Sequence, residues 1–208
     1  MVLHPGKFIA LEGIDGAGKS TLVMALVKKM EEAGLPCHAT AEPTKNHIGK
    51  TIRAILGGEI EGDEKTIAAL FLADRLDHLT HSSYGILSLL QGGSHVICDR
   101  YYLSSYAYHV PYVSLDWVIS ANALCAELKR PDITFFIDIP VEVSMKRLSA
   151  SRNQLDRFEN EARISQVRSN YFAAMEKVKE EENIIIIDGC KSPDEVVELL
   201  WEKIQELL

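Results

Sequence analysis

The sequence predicts an α/β fold in which a parallel sheet of five strands is covered by helices on both faces. Three observations carry that expectation. Short apolar runs alternate with longer segments of helical periodicity. The runs are near-continuously apolar, as strands buried on both faces are. The first run, FIALE, leads directly into GIDGAGKS, Gly13 to Ser20, a G-x-x-x-x-G-K-S loop of the kind that joins a strand to a helix.

The elements follow in order. Phe8 to Glu12 is the first strand, and Lys19 to Ala33 a helix with Leu22, Val23, Leu26 and Val27 at core spacing and Gly34 beyond its end. A short strand is expected at Cys37 to Thr40 and a short helix at Thr51 to Leu56, closed by Gly57 and Gly58. Asp63 caps a long helix from Glu64 to Thr80, and a second piece runs Ser82 to Gln91. Gly92 and Gly93 release the chain into the strand Val96 to Cys98. Ser114 caps a helix through Leu128 that Pro131 prevents from continuing. Ile133 to Ile139 is the clearest buried strand. A helix from Val141 to about Leu148 precedes the polar stretch SASRNQLDRFEN, after which another helix reaches about Glu181. IIIID, ending at Asp188, is the last strand, and SPDE, Ser192 to Glu195, is a capping box with Pro193 at the first helical position of the terminal helix. There is no repeat, linker or low-complexity segment, so residues 1–208 are read as one domain.

Composition narrows the function. A net charge of −8 argues against a protein that coats nucleic acid or an acidic membrane. No run of about 18 apolar residues suggests a membrane span. MVLHPGKF lacks the apolar core of a signal peptide, so a cytoplasmic location is expected. Cys37, Cys98, Cys125 and Cys190 form no C-x-x-C pair and have no histidines at metal-ligand spacing, which argues against a disulfide framework or a zinc site. An acidic chain that binds phosphate must do so with a few well-placed cations.

The glycine loop is the strongest signal. Its backbone N–H groups must converge on phosphate oxygens, Lys19 brings charge to the β- and γ-phosphates, and the Ser20 hydroxyl is placed to ligand Mg²⁺. The helix that follows points its N-terminus at the same anion. HVICD ends in Asp99 at a strand's carboxyl end, where a carboxylate either holds Mg²⁺ through water or closes a turn. Asp15 inside the loop is repelled by phosphate, so it either accepts from a sugar hydroxyl or forms an Asx turn. Arg100 can fork onto a second phosphate. Phe71 and Arg75, four apart on one helix, share a face; they suit the stacking and reading of a base, or a place in the core. SASRNQLDRFEN, with Arg147, Arg152 and Arg157 in or beside it, reads as a lid at about 149–160 or as a solvated loop.

Taken together these motifs resemble the thymidylate kinase family. The residues that carry the resemblance are FIALEGIDGAGKST, EP followed by IGKTIR, FLADR, DRYYLSSYAY, SLDW, RPDITFFIDIP and LDRFE, in the family's order over nearly the whole chain. The resemblance implies a P-loop kinase three-layer sandwich that phosphorylates dTMP to dTDP with ATP and Mg²⁺, as a homodimer with faces around Phe71 to Gln91 and Leu115 to Leu128. Gly13, Ile14, Asp15, Gly16, Ala17, Gly18, Lys19, Ser20, Thr21 and Arg147 would bind ATP, with Ser20 and Asp99 at the metal. Asp15 would accept from the 3′-hydroxyl of dTMP, Phe71 would stack on thymine and Arg75 would bond its O4. Arg100 and Arg53 would hold the acceptor phosphate near Ser104 and Glu42, and Tyr108 would exclude a 2′-hydroxyl. Some members carry a catalytic arginine in the phosphate loop and others in the lid. Gly16 stands at the loop position here, so Arg152 joins Lys19, Asp99 and Arg100 as the catalytic set. The chain departs from many bacterial members at Ala41, before Glu-Pro, and at Tyr106, after Ser-Ser. Lys45 is a candidate to restore charge. The rival readings are a kinase of dUMP, dCMP or a deoxynucleoside, and a non-catalytic nucleotide switch. The switch would call for a base-reading N-K-x-D stretch, which is absent.

Overall fold

A computed structural model describes residues 5–151 and 161–208. Five strands form one parallel sheet in the order β2-β3-β1-β4-β5, with β1 at Phe8–Glu12, β2 at Cys37–Ala41, β3 at His95–Asp99, β4 at Ile133–Asp138 and β5 at Ile184–Asp188. Every residue of β1 is buried, and β4 is buried up to its last residue, which is why both read as unbroken apolar runs. Helices α1 (Lys19–Glu32), α2 (His47–Leu56), α3 (Glu64–Thr80), α4 (Ile86–Gln91), α5 (Tyr102–Tyr108), α6 (Leu115–Leu128), α7 (Val141–Ser151), α8 (Glu161–Val178) and α9 (Pro193–Gln205) surround it. No helix among the described residues is long and apolar enough to cross a membrane.

The caps behave as the sequence indicates. Asp63 accepts from the amides of Lys65 and Thr66, Ser114 accepts from Trp117, and Ser192 with Glu195 closes a full capping box. Four elements differ from expectation. The segment before Gln91 is helical only from Ile86, because the chain leaves α3 extended at His81 and turns through residues 82–84. Helix α7 runs on to Ser151, and the rest of the expected lid, residues 152–160 with Arg152 and Arg157, lies outside the described residues. Helix α5 has no sequence signature, since Tyr102 to Ala107 are buried on every side and show no amphipathic stripe.

Helix α2 also starts four residues earlier than expected, passing straight through Gly49. The glycine there is a packing requirement and not a helix breaker. A Cβ at position 49 would lie 1.9 Å from the carbonyl oxygen of Thr44.

The sheet register builds the site. β1 and β3 are neighbours, with Leu11 beside Asp99, so the loop after β1 and the Asp99-Arg100 pair after β3 emerge side by side. β2 ends opposite Asp99 and passes into Glu42, whose amide donates to the Asp99 carbonyl at 3.1 Å.

Gly49→Ala separates the two views of that glycine. Helix propensity alone would make the variant about 1 kcal/mol more stable. The contact with Thr44 reverses the sign, and we expect a loss on the order of 2 kcal/mol, read as a lower urea midpoint at unchanged m-value.

Candidate active site

The phosphate loop is fixed from beneath. Gly13, Gly16 and Gly18 all have positive φ, and Cβ atoms at Gly13 and Gly16 would sit 2.6 Å from the carbonyl of Ile137 and 2.9 Å from that of Ser144. The side chains of Ile14 and Ala17 are buried in the core, so these two serve the loop through their backbone. Lys19 Nζ donates to the carbonyls of Gly13 and Ile14 at 3.0 and 3.1 Å. Burial, with the neighbouring Arg100 charge adding to it, pulls the Lys19 ammonium down to about 8. The open space above is a cavity of about 220 Å³ bordered by Gly16, Gly18, Lys19, Ser20, Thr21 and Asp99. Arg147 ties the loop to the segment after β5, donating to the carbonyls of Gly16 and Gly189 at 3.4 and 3.1 Å.

Ser20 and Asp99 suit a divalent cation. Ser20 Oγ donates to Asp99 Oδ2 at 2.5 Å, while Asp99 Oδ1 is buried without a hydrogen-bond partner. An orphaned carboxylate oxygen beside a hydroxyl is what a cation or its bound water would satisfy. No group of three or more His, Cys, Asp or Glu among the described residues could cage a metal, so a cation here would draw most ligands from water and phosphate.

Arg100 is the centre of the site. It is the one non-glycine residue with positive φ among the described residues, at 73°. Its amide donates to Leu11 at 2.9 Å, and its carbonyl accepts from the Cys98 thiol at 2.9 Å. Nη1 donates to the Gly13 carbonyl, Ser104 Oγ and Tyr171 Oη at 3.1 to 3.2 Å. Nη2 donates to Asp15 Oδ1 and, at 3.1 Å, to Tyr108 Oη, and Tyr108 closes the triangle by donating to Asp15 Oδ2 at 3.0 Å.

Below lies Glu12, fully buried, accepting from the amides of Tyr101 and Ser104 and from the hydroxyls of Ser104 and Tyr171. Burial raises the Glu12 carboxyl above its ordinary range, opposed by Ser104 and by the Arg100 charge. Burial likewise raises the Tyr108 phenol, so it stays a donor.

A second cavity, of about 440 Å³, opens on the other side of the same arginine. Phe71 and His109 pack against each other at its wall, tilted with ring centroids 5.3 Å apart, and Ser104, Ser105, Tyr108, Arg53 and Arg163 also line it. Arg53 donates to the carbonyls of Thr44, Pro43 and Gly49, which leaves its guanidinium at the cavity wall. Arg163 donates to Tyr112 Oη. His109 is buried, its ring nitrogens have no hydrogen-bond partner among the described residues, and burial next to Arg75 and Arg163 lowers it to about 3. It is a neutral imidazole at any ordinary pH.

Two residues expected at the acceptor stand behind this wall. Arg75 is 1% exposed and spends its donors on Glu42, Ser105 and Asn122. Glu42 is buried against Arg75 and His78, and so acts on the cavity through Arg75 and Ser105. Tyr106 is also in the core, stacked on Tyr102, and Lys45 is exposed.

Sequence reasoning missed Glu12, Ser105, His109, Arg163 and Tyr171. Glu12 and Ser105 lie within the motifs but look like a strand end and a helix residue. Tyr171 is 159 positions from Glu12, and nothing in its surroundings marks it.

The thymidylate kinase family model matches residues 11–200. The chain is similar to a thymidylate kinase of Leptospira borgpetersenii, at 37% identity over 198 residues that cover 95% of this chain and 93% of the relative. It is similar to a probable thymidylate kinase of Pyrococcus horikoshii, at 38% identity with 84% and 85% covered. A thymidylate kinase of Ligilactobacillus salivarius is 34% identical, with 93% and 94% covered.

The lowered Lys19 gives a pH signature. Phosphate oxygens favour the charged ammonium, so the bound form holds its proton to higher pH than the free form at about 8. Nucleotide affinity should be flat below about pH 8 and then fall as pH rises, by up to about tenfold per unit. Calorimetry with a non-hydrolysable ATP analogue should show net proton uptake between pH 8 and 9, and a Lys19→Arg variant should show none.

Proposed function

The chain belongs to the thymidylate kinase family, and on that premise we propose that the two cavities hold the ATP phosphates and dTMP on either side of Arg100. Phosphorylation of dTMP in nucleotide biosynthesis is the activity. The observation that carries the site reading is that Asp15 and Arg100 line both cavities. A phosphoryl group passed between two nucleotides needs one cation within reach of both.

In this reading the phosphate loop and the N-terminus of α1 cradle the β- and γ-phosphates, and Lys19 leaves its two carbonyls to meet them. Ser20 and Asp99 hold Mg²⁺, which when bound neutralises charge on the β- and γ-oxygens. Arg147 and the segment after Asp188 border the adenine. On the other side Arg100 and Arg53 take the acceptor phosphate and fix its oxygen in line. Asp15 and Tyr108 border the sugar: the carboxylate accepts from the 3′-hydroxyl and the phenol fills the place of a 2′-hydroxyl. Phe71 stacks on the base. Ser105, whose oxygen already accepts from Arg75, keeps its own proton for a carbonyl on the base, and neutral His109 supplies a further polar contact. Transfer through a loose transition state then needs one more cation on the moving phosphoryl group, and Arg152 is our candidate.

A homodimer accords with the surface of α6, where Trp117, Leu124 and Leu128 are 45%, 52% and 37% exposed on one side of the helix.

Two measurements test the reading. In a coupled assay with ATP and Mg²⁺, dTMP should be preferred over dUMP, dCMP and UMP, and a nucleoside as the favoured acceptor would remove the role given to Arg100. Arg152→Ala should lower turnover on the order of 10³-fold while ATP affinity holds, and near-normal turnover would sink that assignment.

A further inference from the structure

The arginine that holds Ser105 from behind the cavity wall is itself held by an unusual ion pair. An arginine that meets a carboxylate side-on ordinarily places one N–H on each oxygen. Here Nε and Nη2 of Arg75 both close on one oxygen, Glu42 Oε2, at 2.8 and 2.7 Å. The other oxygen, Oε1, is 3.1 Å from His78 Nδ1. A carboxylate that pairs with arginine can only accept, so Nδ1 carries the imidazole proton and donates. On the far side of the ring, Nε2 is 2.7 Å from the Thr40 hydroxyl, which can donate to it. His78 is 3% exposed and Glu42 4%, so no solvent donor replaces the imidazole at Oε1.

We propose that His78 is a positioning residue for recognition of the acceptor base. By occupying Oε1 it turns the Glu42 carboxylate so that Arg75 is bound through one oxygen only. That orientation aims Nη1 at Ser105 Oγ, 3.1 Å away on the cavity wall, and at Asn122 Oδ1, 2.5 Å away on α6. The chain of contacts runs Thr40, His78, Glu42, Arg75, Ser105, from the sheet edge to the base. Without the imidazole, Glu42 swings to meet Arg75 with both oxygens and Nη1 leaves Ser105. The inference rests on the reading that Ser105, held by Arg75 from behind, faces the base.

Three variants test it: H78Q, H78N and R75K. Asn at position 78 reaches about as far as Nδ1 and can still donate to Glu42. Gln reaches about as far as Nε2, so it keeps Thr40 and loses Glu42. We expect H78Q to raise KM for dTMP roughly tenfold, the worth of one buried charge-assisted hydrogen bond. KM for ATP should stay within about twofold, and the preference for dTMP over dCMP should narrow by a similar roughly tenfold factor. H78N should restore both. If H78Q keeps the wild-type dTMP KM and dTMP/dCMP ratio and only melts lower, His78 is core packing and the proposal is overturned. If H78N fails to rescue, the Glu42 contact is not the operative one, and the proposal is overturned as well. R75K separates the underlying reading: wild-type values there would remove Arg75 from base recognition, whereas altered values with a silent H78Q would reject the role of His78 alone. Should H78Q not fold, H78N set against H78F makes the same contrast between a ring position with and without a donor.

Discussion

The site depends on a partly buried arginine held in a backbone conformation that side chains avoid. A left-handed residue other than glycine costs roughly 1–2 kcal/mol, and a partly buried guanidinium adds a desolvation cost unless it is paired. Arg100 accepts both costs because its surroundings are built to offset them. Its amide and carbonyl are tied to Leu11 and Cys98, and its Nη1 and Nη2 groups between them meet Gly13, Ser104, Tyr171, Asp15 and Tyr108. Those partners come from the phosphate loop, from α5 and from α8. Buried Glu12 supplies countercharge from below. Moving any of these elements therefore disturbs the one cation that, among the described residues, borders both cavities.

This arrangement also resolves how a chain of net charge −8 handles phosphate. Five of its 30 acidic residues stand at the carboxyl ends of the strands, where Glu12, Asp99, Asp138 and Asp188 close β1, β3, β4 and β5 and Glu42 follows β2. Several of them hold a cation in place: Glu12 and Asp15 for Arg100, Glu42 for Arg75, Asp138 for Arg168. The net charge sums every charged side chain wherever it lies, whereas binding depends on where the few cations are aimed. Reading the bulk charge alone would exclude the very ligands that the local arrangement suits.

How much of this was legible follows from how local each signal is. The sheet, the caps and the phosphate loop are written in contiguous residues, so they could be read. Asp99 and Arg100 stand together and could be read as a pair. Helix α5 could not, since a helix buried on all sides has no stripe to detect. Glu12 looks like the end of an apolar strand, yet its function comes from Ser104 and Tyr171, which sequence distance hides. Arg75 was legible as one of a pair with Phe71, but which way its guanidinium faces is decided by Glu42 and His78. The histidine on α3 reads from sequence as no more than a core position.

Gly16 links the loop to the unsolved part of the chemistry. Its φ of +76° already disfavours any side chain, and the space a Cβ would fill belongs to the carbonyl of Ser144 and the side chain of Leu148 on α7. The Ser144 hydroxyl meanwhile donates to the Asp15 carbonyl at 2.7 Å, so α7 is packed directly onto the loop. An arginine at position 16 would have to push that helix away and break the contact. Arg147, on the same helix, is committed to the carbonyls of Gly16 and Gly189. Position 16 is thereby closed to a side chain, and Arg147 spends its guanidinium on holding the loop against the segment after β5. The tight seating of α7 on the loop thus depends on the absence of a side chain at a single position, and the proposed lid arginine is the reading that accords with it.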